Sequence, residues 1–150
     1  MNAPTAFQPL DPQFAERIRQ SFARQKAMAL IGAVLTAVEA GRVEIALAYR
    51  DDLTQQKGYI HGGILGMIAD TACGYSAFSL MPAGCSLVTV EYKINILTPA
   101  RRSLVARGQV VKPGRTLTIA RADIYADDGT LVAIMQQTLM MLPGTPDSAE

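Results

Sequence analysis

His61 is the chain's only histidine, and two glycines follow it directly. Nine residues after it, Asp70 stands as the one carboxylate in the otherwise uncharged run HGGILGMIADTACGYSA, residues 61–77. If this run is a helix starting near Gly62, the neighbours of Asp70 at three and four residues are Gly66, Met67, Cys73 and Gly74, and none can pair with a charge. An isolated carboxylate in apolar surroundings costs several kcal/mol unless it finds donors on another element or its pKa rises. Either Asp70 accepts hydrogen bonds from a neighbouring strand and merely ties the helix down, or it faces a pocket at a subunit interface as general base or nucleophile. Upstream, Gly62 and Gly63 fall at the helix N-terminus, where backbone N–H groups lack partners and carry the positive end of the helix dipole. Such a place can hold a carbonyl oxygen as charge develops on it. A tight turn from loop to helix also calls for glycines, so the pair has a purely structural reading as well.

The elements that must position these residues follow from hydrophobic period. Residues 1–12 carry Pro4, Pro9 and Pro12 and read as an arm, with Asp11-Pro12 as the N-cap and first turn of a helix. Phe14, Ile18 and Phe22 recur every four positions from Gln13 to about Met28, the pattern of a covering helix with one narrow apolar face. The runs IGAVLTAV and RVEIALAYR flank Glu39-Ala40-Gly41 and predict a hairpin. Residues 62–81 are apolar nearly all round, which predicts a buried helix. Then Val88, Val90, Tyr92, Ile94 and Ile96 alternate with Thr89, Glu91, Lys93 and Asn95, the clearest strand pattern in the chain. Runs near 102–111, 116–126 and 130–142 follow, separated by Lys112-Pro113-Gly114 and Asp127-Asp128-Gly129. The expected architecture is a single α+β domain over residues 13–142, about six antiparallel strands wrapped around one long buried helix. Residues 143–150 read as a flexible polar tail. A curved sheet of this kind leaves a face and edges to cover, so a homo-oligomer is expected.

Composition excludes several classes. The 150 residues include 14 basic and 13 acidic side chains, a net charge of +1 without long like-charge runs, which argues against a nucleic-acid or anionic-membrane partner. Cys73 and Cys85 lack metal-ligand spacing, and with a single His they give no usual zinc set, so no metal is expected. No basic leader with an apolar core opens the sequence, and no apolar run approaches about 18 residues. A soluble cytoplasmic protein is expected.

GYIHGGILGMIADTACGYSA followed by TVEYKINILTPA resembles the hotdog-fold thioesterases of the phenylacetic-acid-degradation (PaaI-like) type, over a stretch from about Phe22 to Leu142. The resemblance implies an acyl-CoA thioesterase acting on aromatic or medium-chain acyl groups, a homodimer or dimer of dimers (a homotetramer) with sites between subunits, and no cofactor beyond the CoA of the substrate. It assigns Asp70 to activating water or attacking the thioester carbon, the Gly62 N–H to holding the thioester oxygen, and His61 to positioning the helix end and substrate. Gln55 falls where relatives carry an amide touching the carbonyl or the water, and Thr89 where they carry a hydroxyl that holds that water. A non-catalytic acyl-CoA-binding module is the alternative of another class, and a dehydratase using His61 is a third.

Gly63 and Met67 are expected against the substrate, Met67 with Tyr75 and the N-terminal helix forming the far wall. Among the loop cations Lys57, Arg101, Arg102, Lys112 and Arg115, Arg101 and Arg115 are the preferred partners for the CoA phosphates. Cys73 lies twelve residues after His61, about 18 Å along a helix, too far for a Cys–His pair within one chain. It reads as a packing residue.

Overall fold

The computed structural model describes residues 6–148. Parts of the expected arm (1–5) and tail (149–150) lie outside the described residues. Helix α1 spans Phe14–Ala23 and α2 Lys26–Ile31, followed by strands β1 (Ala33–Glu39) and β2 (Arg42–Leu47), and then the long helix α3, Gly62–Phe78. Strands β3 (Cys85–Ile96), β4 (Leu104–Lys112), β5 (Leu117–Ala126) and β6 (Leu131–Pro143) complete one antiparallel sheet in the order β1-β2-β4-β5-β6-β3. The sheet curves around α3, which touches all six strands. This is the hotdog architecture, and it agrees with the expected α+β class.

Three differences from the sequence reading have physical causes. Asp11 is not the N-cap of α1, because Gln13 holds that place, and the Asp11 Oδ1 instead accepts from the Gln13 N–H at 2.9 Å one turn earlier. The expected helix from Gln13 to Met28 is two helices. The chain leaves helical geometry at Gln25, whose amide donates to the Tyr75 hydroxyl at 2.9 Å, so the pair bends over the α3 surface. The buried helix stops at Phe78 and not Met81, with Pro82 disfavouring helix in the residue before it.

The core is built from small residues where backbone meets backbone. The inward positions of β4 and β5 at their crossing of α3 are Ala106, Gly108, Ala120 and Ala122, all buried. A Cβ at Gly108 would stand 2.3 Å from the Ala72 carbonyl oxygen and 2.7 Å from the Ser76 Oγ, so only glycine lets the sheet close here. At the C-terminal end of α3, the Arg17 guanidinium donates to the carbonyls of Phe78 (3.1 Å), Met81 (2.8 Å) and Pro82 (2.7 Å) and lies over the Phe78 ring. It thereby adds charge-assisted donors to the carbonyls at the helix end, of which that of Met81 has no other donor among the described residues.

Strand β3 is one of the two edges of the sheet, β1 being the other. Val88, Val90, Tyr92 and Ile96 are each between 42% and 53% exposed. Its alternation is also interrupted: Thr89 pairs with Leu139 and Glu91 with Thr138, which leaves Val90 as the extra residue of a β-bulge. A bulge moves the following residues to the opposite face, so Leu87 and Thr89 share the inner face with Tyr92, Ile94 and Ile96. The sequence reading had put Thr89 on the other side.

Candidate active site

The row of α3 that runs under β3 is Gly62, Gly66, Asp70 and Gly74, one residue per turn. A Cβ at Gly62 would stand 3.0 Å from the Ile96 Cδ1, at Gly66 3.4 Å from the Tyr92 hydroxyl, and at Gly74 3.9 Å from Leu87 and Leu139. Glycines on both sides let β3 lie close to the helix and leave Asp70 as the single side chain of the row. Its partner on the strand is Thr89, which the bulge turns inward.

Asp70 is therefore not isolated. The Thr89 Oγ1 donates to its Oδ1 at 2.8 Å, and the Gln137 Nε2 donates to the same oxygen and, at 2.7 Å, to the Thr89 Oγ1. Gln137 is fully buried on β6, and the sequence reading missed it. The signal was available: if β6 alternates, Ala133, Met135, Gln137, Leu139 and Met141 share the core face, and Gln137 is the one polar residue among them. The bland reading of Asp70, that strands supply its donors, is thus true in part. What remains is where the other carboxylate oxygen looks.

No described residue donates to that oxygen, and Asp70 itself lines a cavity of about 770 Å³ together with Thr71, Gly74, Tyr75, Phe78, Leu87 and Thr89. The N-terminal helices close it through Ser21, Gln25 and the cationic pair Arg24 and Lys26. The Tyr75 hydroxyl lies 3.0 Å from the Ser21 Oγ, and burial raises its pKa, so it presents a neutral phenol. Tyr75 and the N-terminal helices wall this cavity, whereas Met67 does not line it. The C-terminal segment does: Asp147 and Ser148 reach its rim, and Arg24 donates to the Asp147 carbonyl at 2.7 Å.

The remaining expected residues gather at the other end of α3. His61 is its N-cap and its Nδ1 accepts from the Gly63 N–H at 2.9 Å, while Ile64 and Leu65 donate to the His61 carbonyl. The Gly63 N–H is thus engaged by the cap. The Gly62 N–H has no acceptor among the described residues. With its Nδ1 lone pair engaged, His61 also lacks the free base that a dehydratase would use there. Gln55 accepts from the Lys57 N–H and closes its own turn. Arg101 donates to the Lys57 carbonyl at 2.5 Å and stacks over Tyr59, which holds the loop that leads into His61. Arg115 lies elsewhere, in a groove with Phe7, Met81 and Met141 beyond the C-terminal end of α3, about 24 Å of helix away. Arg101 and Arg115 of one chain do not share a phosphate site. Cys73 is a fully buried packing residue, its thiol pushed far up by burial and then by the nearby Asp70 and Asp123.

Residues 57–133 match the family model of the Thioesterase superfamily. A candidate esterase of Saccharolobus solfataricus is 31% identical over 97 residues, covering 64% of this chain and 69% of that protein. Among solved structures, a thioesterase family protein from Silicibacter pomeroyi is 48% identical with a TM-score of 0.85, over 87% of this chain and 99% of that one. The PaaI protein of the Escherichia coli phenylacetic acid degradation operon shares the fold at 21% identity, with a TM-score of 0.83 over 91% and 98% of the two chains.

Proposed function

Because the chain belongs to the thioesterase superfamily and is a thioester hydrolase, we propose that its substrate is an acyl-CoA with an aromatic or medium-length acyl group, hydrolysed through Asp70. The observation that carries this reading is the state of the Asp70 carboxylate. One oxygen is held by two donors, and the other, to which no described residue donates, belongs to a side chain that lines an acyl-sized cavity. That oxygen can take the proton of a water attacking the thioester carbon, or attack the carbon itself; either route ends in the free acid and the CoA thiol. Neither needs a metal or redox cofactor. The cavity volume is of the size that holds small-molecule ligands, about 300–1,000 Å³ in general.

The carbonyl oxygen needs donors that Asp70's own chain does not bring to it. Eight residues of α3 separate Gly62 from Asp70, about 12 Å at the standard rise, too far to serve one carbonyl. We assign the oxyanion donor to the Gly62 N–H of a second copy, paired along β3, with His61 setting that helix end and Gln55 beside the thioester. The exposed edge of β3, with Val88, Val90, Tyr92 and Ile96 unburied, supports such pairing. Two reduced, buried cysteines accord with a cytoplasmic enzyme.

Thiol release from a panel of aromatic and aliphatic acyl-CoAs tests the reading. Asp70→Asn, checked for folding, is expected to lower kcat at least about a hundredfold. Binding of acyl-CoA by the wild type with no turnover on any member of the panel would leave a binding module in its place.

A further inference from the structure

Gln137 carries a cost that packing does not explain. Its side chain is fully buried, yet its Oε1 accepts no hydrogen bond among the described residues. A buried carbonyl without a donor is unfavourable, and native structures keep few of them without a reason. The neighbouring inward positions of β6 are Met135 and Leu139, so the same slot could hold an apolar side chain of similar length. Turning the amide over offers no relief, since the Oε1 would then face the Asp70 carboxylate. The orientation is fixed by chemistry.

The hydrogens of this cluster all point one way. The Nε2 of Gln137 has two, one given to the Asp70 Oδ1 and one to the Thr89 Oγ1, and the Thr89 hydroxyl gives its own to the same Oδ1. The three side chains form a closed ring in which Gln137 is the only group that needs no proton from another. Thr89 accepts from Gln137, so its hydroxyl hydrogen is aimed at Asp70 rather than free to rotate. Both donors meet at Oδ1 and none of the described residues donates to Oδ2. We infer that Gln137 is a positioning residue for catalysis: it fixes the Thr89 hydroxyl and locks the Asp70 carboxylate through Oδ1, so that Oδ2, to which no described residue donates, is the reacting oxygen. The inference rests on Asp70 being the reacting carboxylate. A misplaced base is costly in rate even where binding is unaffected.

Gln137→Met keeps the length and removes both donors together with the unpartnered carbonyl. A merely structural Gln137 would lose stability on this change. The expected result is a variant whose Tm is unchanged or raised, whose kcat falls about tenfold to a hundredfold, and whose KM stays within about twofold. In an Asp70→Asn background the same change should lower the residual rate less than about twofold, because a residue that acts through Asp70 has nothing left to position. Should the Met variant not fold, Gln137→Leu makes the same test. A kcat near wild type in Gln137→Met, with Asp70→Asn inactive, overturns the inference and leaves the proposed function standing. Equal loss in both backgrounds overturns it too, since Gln137 would then act independently of Asp70. If wild type and Asp70→Asn turn over acyl-CoA equally, the proposed function falls first and the inference with it.

Discussion

Two faces of α3 are lined with small residues, and they put that smallness to opposite uses. Against β4 and β5, Ala69, Ala72, Cys73 and Ser76 are all fully buried, and the sheet comes so close that Gly108 has no room for a methyl group. Against β3, Gly62, Gly66 and Gly74 leave added methyls at 3.0 to 3.9 Å from flexible side-chain ends. The first face is sealed by backbone contact. The second retains slack, and in that slack stand a carboxylate, its two donors and a cavity. Chemistry sits where the helix is held by side chains it can do without, and stability where it is held by contacts that cannot be altered.

The contrast breaks most sharply at Gly108. Its Cβ would meet a helix carbonyl, which cannot rotate away, so Gly108→Ala forces the sheet off α3. Overpacking of this kind costs about 3 kcal/mol, and a Tm lower by about 10 °C is expected for a domain of this length. Calorimetry checks it, and a loss below about 1 kcal/mol would mean that the sealed face has the same slack as the other.

Arg17 tests whether the sealed end of α3 depends on one side chain. Three carbonyls, of Phe78 at the end of α3 and of Met81 and Pro82 beyond it, are bound by its guanidinium, and its Nε lies 3.2 Å from Asp11. Arg17→Met keeps the apolar stem over Phe78 but removes three charge-assisted hydrogen bonds and leaves the Met81 carbonyl without a donor among the described residues. A cost of about 2 kcal/mol follows from losing charge-assisted hydrogen bonds at a half-buried site. Denaturant unfolding should show a lower midpoint with an unchanged slope.

The two faces were not equally legible in the sequence. The turns at Lys112-Pro113-Gly114 and Asp127-Asp128-Gly129, the alternation of β2 and β4 to β6, and the all-round apolar α3 are local signals, and the strands and helix lie where those signals put them. Asp70 was conspicuous because charge is rare in such a helix. Its partners were not: a bulge at Val90 has no residue signature, yet it decides which way Thr89 faces. Gln137 lies 67 positions from Asp70: the alternation of β6 marks it as the inner of two adjacent glutamines, but only the closed sheet brings it to Asp70. Arg17 stands among other charges on an amphipathic helix, and nothing local marks it, because its acceptors belong to a segment more than 60 residues away. Local chemistry announces elements, while the identity of a hydrogen-bond partner is a property of the closed sheet.

Gly74 is where the two uses of small residues can be pulled apart with the gentlest change. It sits one turn after Asp70 on the slack face and lines the cavity, and a methyl there would lie 3.9 Å from Leu87 and Leu139, ordinary contact distance. Gly74→Ala should therefore fold without strain and gain from better helix propensity, about 0.5–1 kcal/mol of stability. The same methyl narrows the cavity beside the reacting carboxylate. For an aromatic acyl-CoA, kcat/KM is expected to fall by up to about tenfold relative to a short acyl chain, the usual weight of one methyl group in an apolar pocket. Stability and selectivity would then move in opposite directions from one atom, which is what a face kept open for substrate predicts. A variant more stable but unchanged in acyl preference would show that the acyl group runs elsewhere, and a variant less stable would show that β3 packs on α3 as tightly as β4 does.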